Sequence, residues 1–537
     1  MVNLISQSRS PEASGEGHAR SSISIRNLCE QISTLQIKNY LRRIIAHQYK
    51  TFAPLDLCPL KIKNMKTQIN GTDILELGFP EGKIIGIALK INSKRHGLKR
   101  DEMITNFKNV LETPENYIDD AIFSKLAIAL IEKANEKPED FIALNQNPNA
   151  YASYGAEHIE DGARKQMEVA MQLPVTVAGA LMPDAHQGYG LPIGGVLATK
   201  NAIIPYGVGV DIGCRMALSV YDIAEDFYFE NEAKFKRELI ANSIFGAGHG
   251  FRGQYKSDHA VLENDAFNMT PFVKNLKDKA WSQLGSSGGG NHFVEFGIME
   301  FAKDDAVLNI PKGKYVALLT HSGSRGMGAT IAGHYTKIAK DVCKLPEVAK
   351  NLAYLDMNSQ LGQEYWMAMN LAGDYASACH EIIHNKMERA LGATILAKVE
   401  NHHNFAWKEI WNGEEVIVHR KGATPAGKGV MGIIPGSMTA PGFLVRGKGE
   451  ENAINSASHG AGRQMSRTQA IKNITKNEMK SILQHHGVTL IGAGLDEAPM
   501  AYKDINQVME AQQDLVDVVA KFTPKLVRMA DDGSRED

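Results

Sequence analysis

The sequence predicts a mixed α+β protein, with mixed β-sheets flanked by helices, Gly-rich loops between them, and a small α+β extension in front. Three observations carry this expectation. From about residue 150 onward, short β-branched or apolar runs such as IGGVLAT, KYVALLTHSG and EEVIVH alternate with a few long helical stretches. Forty-nine glycines supply many tight turns and positions of close backbone approach. The 537 residues also exceed a single core, which stops growing near about 250–300 residues, so more than one unit is expected.

Residues 1–64 read as a flexible tail followed by short helices. Ser, Gly, Pro, Arg and Glu dominate its start, and ISIRNLCEQISTLQIKNYLRRIIAHQYK then has apolar residues near helical spacing. Residues 65–145 form the expected small α+β N-terminal domain. TDILELGFPEGKIIGIALKIN reads as two strands about the turn Pro80-Glu81-Gly82. Two helices follow, parted at Thr113-Pro114, and the second ends between Asn135 and Pro138. Residues 146–537 form the large domain. Its helical candidates are AEHIEDGARKQMEVAMQL, YWMAMNLAGDYASACHEIIHNKMERAL and YKDINQVMEAQQDLVDVVAKF, and no internal repeat is visible.

Bulk composition narrows the function classes. A net charge of −2 gives no global attraction to nucleic acid, so any such binding needs a local patch. Five cysteines without a CxxC pair exclude a disulfide framework or a zinc ribbon and point to a reducing, cytoplasmic compartment. No apolar run is long enough to span a bilayer, and the start lacks the apolar core of a signal peptide.

Chemistry concentrates in loops. GGGNHFVEF (288–296), LLTHSGSRGMG (318–328), ENHHNFAWKE (400–409) and SASHGAGRQMSR (456–467) each carry histidine, and VDIGCRMAL (210–218) adds Asp211 and Cys214. Convergent imidazole, carboxylate and thiolate donors suit a first-row metal such as Mn, Zn, Fe or Co. Cys214 has two readings: a small buried hydrophobe, or a thiolate bridging two metal ions. Between His419 and Arg467, seven Lys/Arg stand against Glu450 and Glu451, a local +5. Interleaved with glycines whose N–H groups can approach phosphate, this is the patch the global charge lacks.

Nine stretches, in order, resemble the RtcB-type RNA ligases, which join RNA ends with GTP and manganese. They are MPDAHQGYGLPIGG, GVGVDIGC, GGGNHFVE, HSGSRGMG, HHN, HRKGA, IPGSM, SHGAGRQMSR and EAPMAYKD, spread from about residue 150 to 530. The resemblance implies an RtcB-like fold and a GTP-dependent 3′-phosphate/5′-hydroxyl RNA ligase. It implies two Mn²⁺ ions held by Asp211, Cys214, His292, His321 and His403, with Cys214 bridging. His459 becomes the nucleophile that carries GMP. Asn291, Phe293, Glu295, Ser437, Ala461, Gly462 and Tyr502 fall at GTP-pocket positions, and Arg325, Lys421, Arg463 and Arg467 at phosphate- or RNA-handling positions. The implied partners are RNA, as tRNA halves or broken RNA, and an archease-like activator; no membrane is implied.

Three positions depart from the family pattern. Gly442 stands where a serine is usual, Met529 replaces a lysine near the nucleotide, and Arg215 replaces the glycine after the metal-binding cysteine. They leave two alternatives to a ligase: a dinuclear-metal cyclic phosphodiesterase that opens RNA ends without sealing them, and an RNA-end-binding protein that does not ligate.

Overall fold

The computed structural model describes residues 69–80, 82–94, 97–135, 141–531 and 533. The tail and short helices expected over residues 1–64 lie outside them. The chain divides into two compact units between Lys137 and Pro138. Residues 141–149, assigned by sequence mostly to the front domain, belong to the second unit. Their backbone bonds there, Ile142 N to Lys344 O at 2.8 Å and Asn145 N to Gln172 O at 2.8 Å.

Among its described residues the first unit is helical and has no strand, which corrects the α+β expectation for this segment. Its helices are Gly71–Glu76, Lys83–Lys94, Arg100–Glu112 and Ser124–Asn135. The β-branched run KIIGIALKIN suggested a strand. Its buried positions Ile84, Ala88 and Ile91 instead follow the i, i+4, i+7 spacing of one helix face. Asn70 and Asp73 cap the preceding helix reciprocally, which fixes the helical start that the strand reading missed. Phe107 anchors the core, edge-to-face with Phe79 at 5.9 Å and Phe123 at 6.0 Å.

The second unit is the mixed α+β body expected from the sequence. One large sheet runs in the spatial order Met431–Ile434, Gly442–Gly447, Val516–Met529, Phe293–Phe301, Gly313–Ser322, Arg215–Ala224 and Ile395–His402. Thr489–Ile491 pairs in parallel with Val516–Met529. A second sheet orders Ala152–Ser153, Thr176–His186, Ile193–Thr199, Glu414–Lys421 and Phe405–Trp411. The expected helix over residues 502–522 is cut short. Only Ile505–Glu510 is helical, and Val516–Met529 is a strand inside the large sheet. Its β-branched, alternately buried residues outweigh the helical spacing, and a register shift beside Pro524 accommodates the missing N–H.

The 32-residue helix Gln360–Leu391 supports one face of the large sheet. Arg215, Ser219, Thr320 and Ser322 face it with polar groups: Ser219 Oγ lies 2.7 Å from His384 Nδ1, and Thr320 Oγ1 lies 2.6 Å from His380 Nδ1. The other face is apolar, built on Met216, Leu218, Ala317, Leu319 and Val399. That alternation is the period of two expected of strands.

Candidate functional site

Four neighbouring antiparallel strands end together, and each delivers one donor at that end. Cys214 precedes Arg215–Ala224, His292 precedes Phe293–Phe301, His321 is the penultimate residue of Gly313–Ser322, and His403 follows Ile395–His402. Register locks them side by side: Met216 pairs with His321, Phe293 with His321, and Arg215 with His402. Parity also separates the two adjacent histidines. His402 falls on the Arg215 face against Phe405 and Trp407, at 4.9 and 5.0 Å, while His403 turns into the site.

The donors converge tightly. Cys214 Sγ lies 3.1 Å from His321 Nε2 and 3.5 Å from His292 Nε2. His292 Nε2 lies 2.9 Å from Asp211 Oδ2, and His321 Nε2 lies 3.2 Å from His403 Nε2. All five are buried. Asn291 O can only accept, so His321 Nδ1, 3.2 Å away, carries the hydrogen and Nε2 presents a lone pair to the cluster. His403 Nδ1 is buried with no hydrogen-bond partner among the described residues.

Electrostatics within this cluster divide. Burial pushes the Cys214 thiol up, with Asp211 adding to it, so the thiolate needs a cation beside it. Burial also pushes His321 and His403 well below the ordinary histidine range, which keeps them neutral donors. His292 is opposed by burial too, but Cys214 and Asp211 hold it well above that range. Two neutral imidazoles, a third held charged by its anionic neighbours, a carboxylate and a thiol form a donor set suited to a divalent first-row metal, and the ligand atoms of Cys214, His292 and His321 all lie within 4.8 Å of one another.

His459 follows the short strand Ser456–Ser458 and meets the end of Thr176–His186. Asp184 Oδ2 accepts from the backbone N–H groups of His459 and Gly460 at 3.1 and 3.3 Å, and lies 2.6 Å from His459 Nδ1. An oxygen that receives those donors takes the Nδ1 hydrogen as well, so Nε2 keeps its lone pair. The His459 ring is 4.9 Å from that of His403. Gly462 permits the approach. Its φ is +72°, and a Cβ there would stand 2.1 Å from Asp184 O. The helix Arg467–Asn473 is capped by Ser466, and His459 sits in the loop ahead of it.

These groups share a cavity of 1320 Å³, lined also by Asn291, Phe293, Glu295, Ser437, Ala461, Gly462, Tyr502, Arg325, Lys421, Arg463 and Arg467. Every site residue read from the sequence therefore lies on its wall. Glu295 shares the strand face of Phe293, and burial alone raises its carboxyl well above the carboxylate range. Lys421 is pushed down to about 7 by burial, with Nζ donating to Tyr189 O at 2.6 Å. Gly442 and Met529 line the same cavity.

A model of the family described as tRNA-splicing ligase RtcB matches residues 166–530. The chain belongs to the RtcB family. It is 35% identical over 393 residues to the RNA-splicing ligase RtcB of Escherichia coli K12, covering 67% of this chain and 92% of that protein. It is 34% identical over 397 residues to RtcB1 of another Escherichia coli strain, again 67% and 92%. With the tRNA-splicing ligase RtcB of Methanococcus maripaludis it shares 29% over 428 residues, 67% of this chain and 89% of that one. The family's activity is RNA ligation, and no helix among the described residues is long and apolar enough to cross a membrane.

The RtcB frame shows which residues the sequence reading passed over. Asp184 lies within MPDAHQGYG; a carboxylate in the buried strand run ALMPDAH was the available signal, since buried charge is rare without a partner. Asp496 and Glu497 were also missed. Arg463 Nη1 pairs with Glu497 Oε2 at 3.3 Å, and Arg467 Nη1 pairs with Asp496 Oδ2 at 2.9 Å and with Glu497. Tyr502 donates its hydroxyl to Glu497 and lies beneath the Arg463 guanidinium at 5.1 Å. Arg325 is engaged by Ser286 Oγ and Gly246 O, at 3.1 and 3.0 Å. Arg215, unexplained by the family pattern, turns away from the RtcB site, bonding Gly373 O at 2.6 Å and pairing with Glu400.

Proposed function

We propose that this chain joins RNA ends bearing a 2′,3′-cyclic phosphate or 3′-phosphate to 5′-hydroxyl ends, using GTP through a guanylyl-His459 intermediate. The carrying observation is the His459 Nδ1–Asp184 Oδ2 contact of 2.6 Å, which leaves Nε2 nucleophilic beside the donor cluster. Two Mn²⁺ ions would be held by Asp211, Cys214, His292, His321 and His403; when bound they neutralise phosphate charge.

In this reading Nε2 of His459 bonds to the GTP α-phosphorus and pyrophosphate departs. The proton stays on Nδ1, donated in a hydrogen bond to Asp184, whose carboxylate steadies the cationic ring that forms. Water opens a cyclic phosphate end to a 3′-phosphate, which takes GMP from Nε2. The 5′-hydroxyl then forms the phosphodiester, losing its proton as GMP leaves. Glu295 is a suitable guanine reader, because an ionised carboxylate accepts from the ring N–H and amino group together. Burial pushes its carboxyl well above the carboxylate range, and two donors from guanine would favour the ionised form. Asn291, Phe293, Ser437, Ala461, Gly462 and Tyr502 complete the GTP wall, while Arg325, Lys421, Arg463 and Arg467 supply positive charge for phosphates and RNA. The natural RNA would be tRNA halves or broken RNA in a cytoplasmic setting, with an archease-like activator as partner.

Intact-mass measurement after incubation with GTP and Mn²⁺ tests the reading. One added GMP is expected, lost in His459→Ala; an unmodified wild-type chain overturns it. Gly442 and Met529 on the cavity wall favour one second reading, an end-opening phosphodiesterase. A labelled cyclic-phosphate RNA separates the two: 3′-phosphate without joined product at saturating GTP selects the hydrolase.

A further inference from the structure

An exposed aromatic ring stands at the mouth of the cavity and takes no part in the steps above. Tyr189 is 70% exposed, and among the described residues it is the one large exposed hydrophobic side chain on that wall. Its loop is held firmly. Gln166 clamps Gly188 on both sides, accepting from Gly188 N at 3.0 Å and donating to Gly188 O at 2.5 Å, and Gln187 N donates to Glu160. Gly190 has a φ of +71° and packs so close to Asn351 O that a Cβ would lie 2.9 Å away. A braced loop that leaves a large ring in water presents the ring for contact rather than using it for stability.

Its surroundings say what that contact is. Tyr206 backs the loop with its ring centroid 6.4 Å from that of Tyr189. Lys421 Nζ bonds Tyr189 O at 2.6 Å and lies 5.2 Å from the Tyr206 ring; Lys340 Nζ lies 5.6 Å from the same ring. Next to Lys421, Gly422 is so near the nucleophile that a Cβ would meet His459 Cε1 at 3.2 Å. Two aromatic rings with Lys421 beside them, on the cavity wall that leads to His459, have the chemistry of a single-stranded nucleic-acid site, where rings stack bases and cations follow phosphates.

We infer that Tyr189 is a stacking platform for the unpaired base at an RNA end entering the cavity, a subsite that rests on the ligase reading above. Stacking on a π-face tolerates any base, so the subsite recognises an unpaired end without reading its sequence.

RNA oligonucleotides carrying 2-aminopurine at the terminal base, of the 3′-phosphate end in one arm and the 5′-hydroxyl end in the other, test it with the full chain. Wild type is expected to quench one label on binding, which assigns the end. Tyr189→Ala and Tyr189→Leu are expected to lose the quench and about tenfold in affinity, the lower part of the range for one stacked base. Tyr189→Phe and Tyr189→Trp should keep both, because the ring and not the hydroxyl makes the contact. An abasic terminal nucleotide should bind wild type and Tyr189→Ala equally. The proposal is overturned if the Ala and Leu variants hold base-bearing ends as tightly as wild type. An equal loss for abasic and base-bearing ends also overturns it, since that reports a disturbed loop. A chain that forms the GMP adduct yet quenches neither label sinks this subsite alone; a chain that quenches but forms no adduct sinks the ligase reading instead.

Discussion

The two walls of the cavity treat charge in opposite ways. On the donor wall, Cys214, His292, His321 and His403 form a chain of contacts, each 3.1 to 3.5 Å from at least one other, and burial holds two of the imidazoles neutral. Nothing within that group except His292 gains by being charged. On the arginine wall, Arg463 and Arg467 are already matched by Asp496 and Glu497. The first wall offers donors suited to a cation; the second has its arginines already paired. In the proposed reading, an entering triphosphate would meet open positive charge mainly at the metal position and would have to compete with two carboxylates for the arginines.

The largest test of this contrast is Cys214→Ala. Sγ is the shared neighbour of His292 and His321, so its loss should empty both ion positions, whereas His292→Ala should mainly weaken one; metal stoichiometry by inductively coupled plasma mass spectrometry distinguishes them. Next is Asp184→Asn, which keeps the shape but offers Nδ1 the wrong tautomer. Adduct formation should slow by about 10²–10⁴-fold in single-turnover assays with metal content unchanged. A rate within threefold of wild type would remove Asp184 from the mechanism.

A smaller effect is expected on the opposite wall. Glu497→Gln leaves two partly buried guanidiniums short of one buried carboxylate, a change expected to cost less than the about 3–5 kcal/mol of a fully buried pair and to read out in thermal unfolding. Burial raises Glu497 against the pull of Arg467 and Arg463, so the variant tests whether charge at that position matters. If stability is unchanged, the wall is not a matched charge network.

The smallest prediction concerns pH. Lys421 is depressed to about 7 from 10.5, so the unfolded chain binds the extra proton between those values. Its folded form is favoured above the unfolded pKa and loses that advantage as pH falls toward 7. Lys421→Met should therefore be more stable than wild type near pH 7, and the gap should narrow toward pH 10; a constant gap in denaturant titrations would refute the assignment.

How much of this was legible in the sequence depended on whether a residue's role was local. Strands such as Gly313–Ser322 were readable because a β-branched and apolar run is written in consecutive residues. The five donors were found through motifs, although their convergence depends on register between strands far apart in the chain. Asp184 was missed because its meaning is a contact with His459, 275 positions away. The segment Lys83–Lys94 misled for the opposite reason: its β-branched composition was visible, while the helical face it buries needed its partners Phe79, Phe107 and Leu126 to be seen. Arg215 was opaque until Gly373 and Glu400 appeared opposite it.

The order in which the site's parts occur along the chain has a consequence for synthesis. The donors are complete once His403 has been made, before His459 exists, and Glu497 follows later still. In the proposed reading, the full ligand set would thus be present in a growing polypeptide that has no nucleophile to modify. On that reading, competence would arrive only with the Gly462 turn against Asp184, and a product truncated before His459 is expected to keep the metal ligands while being unable to take up GMP.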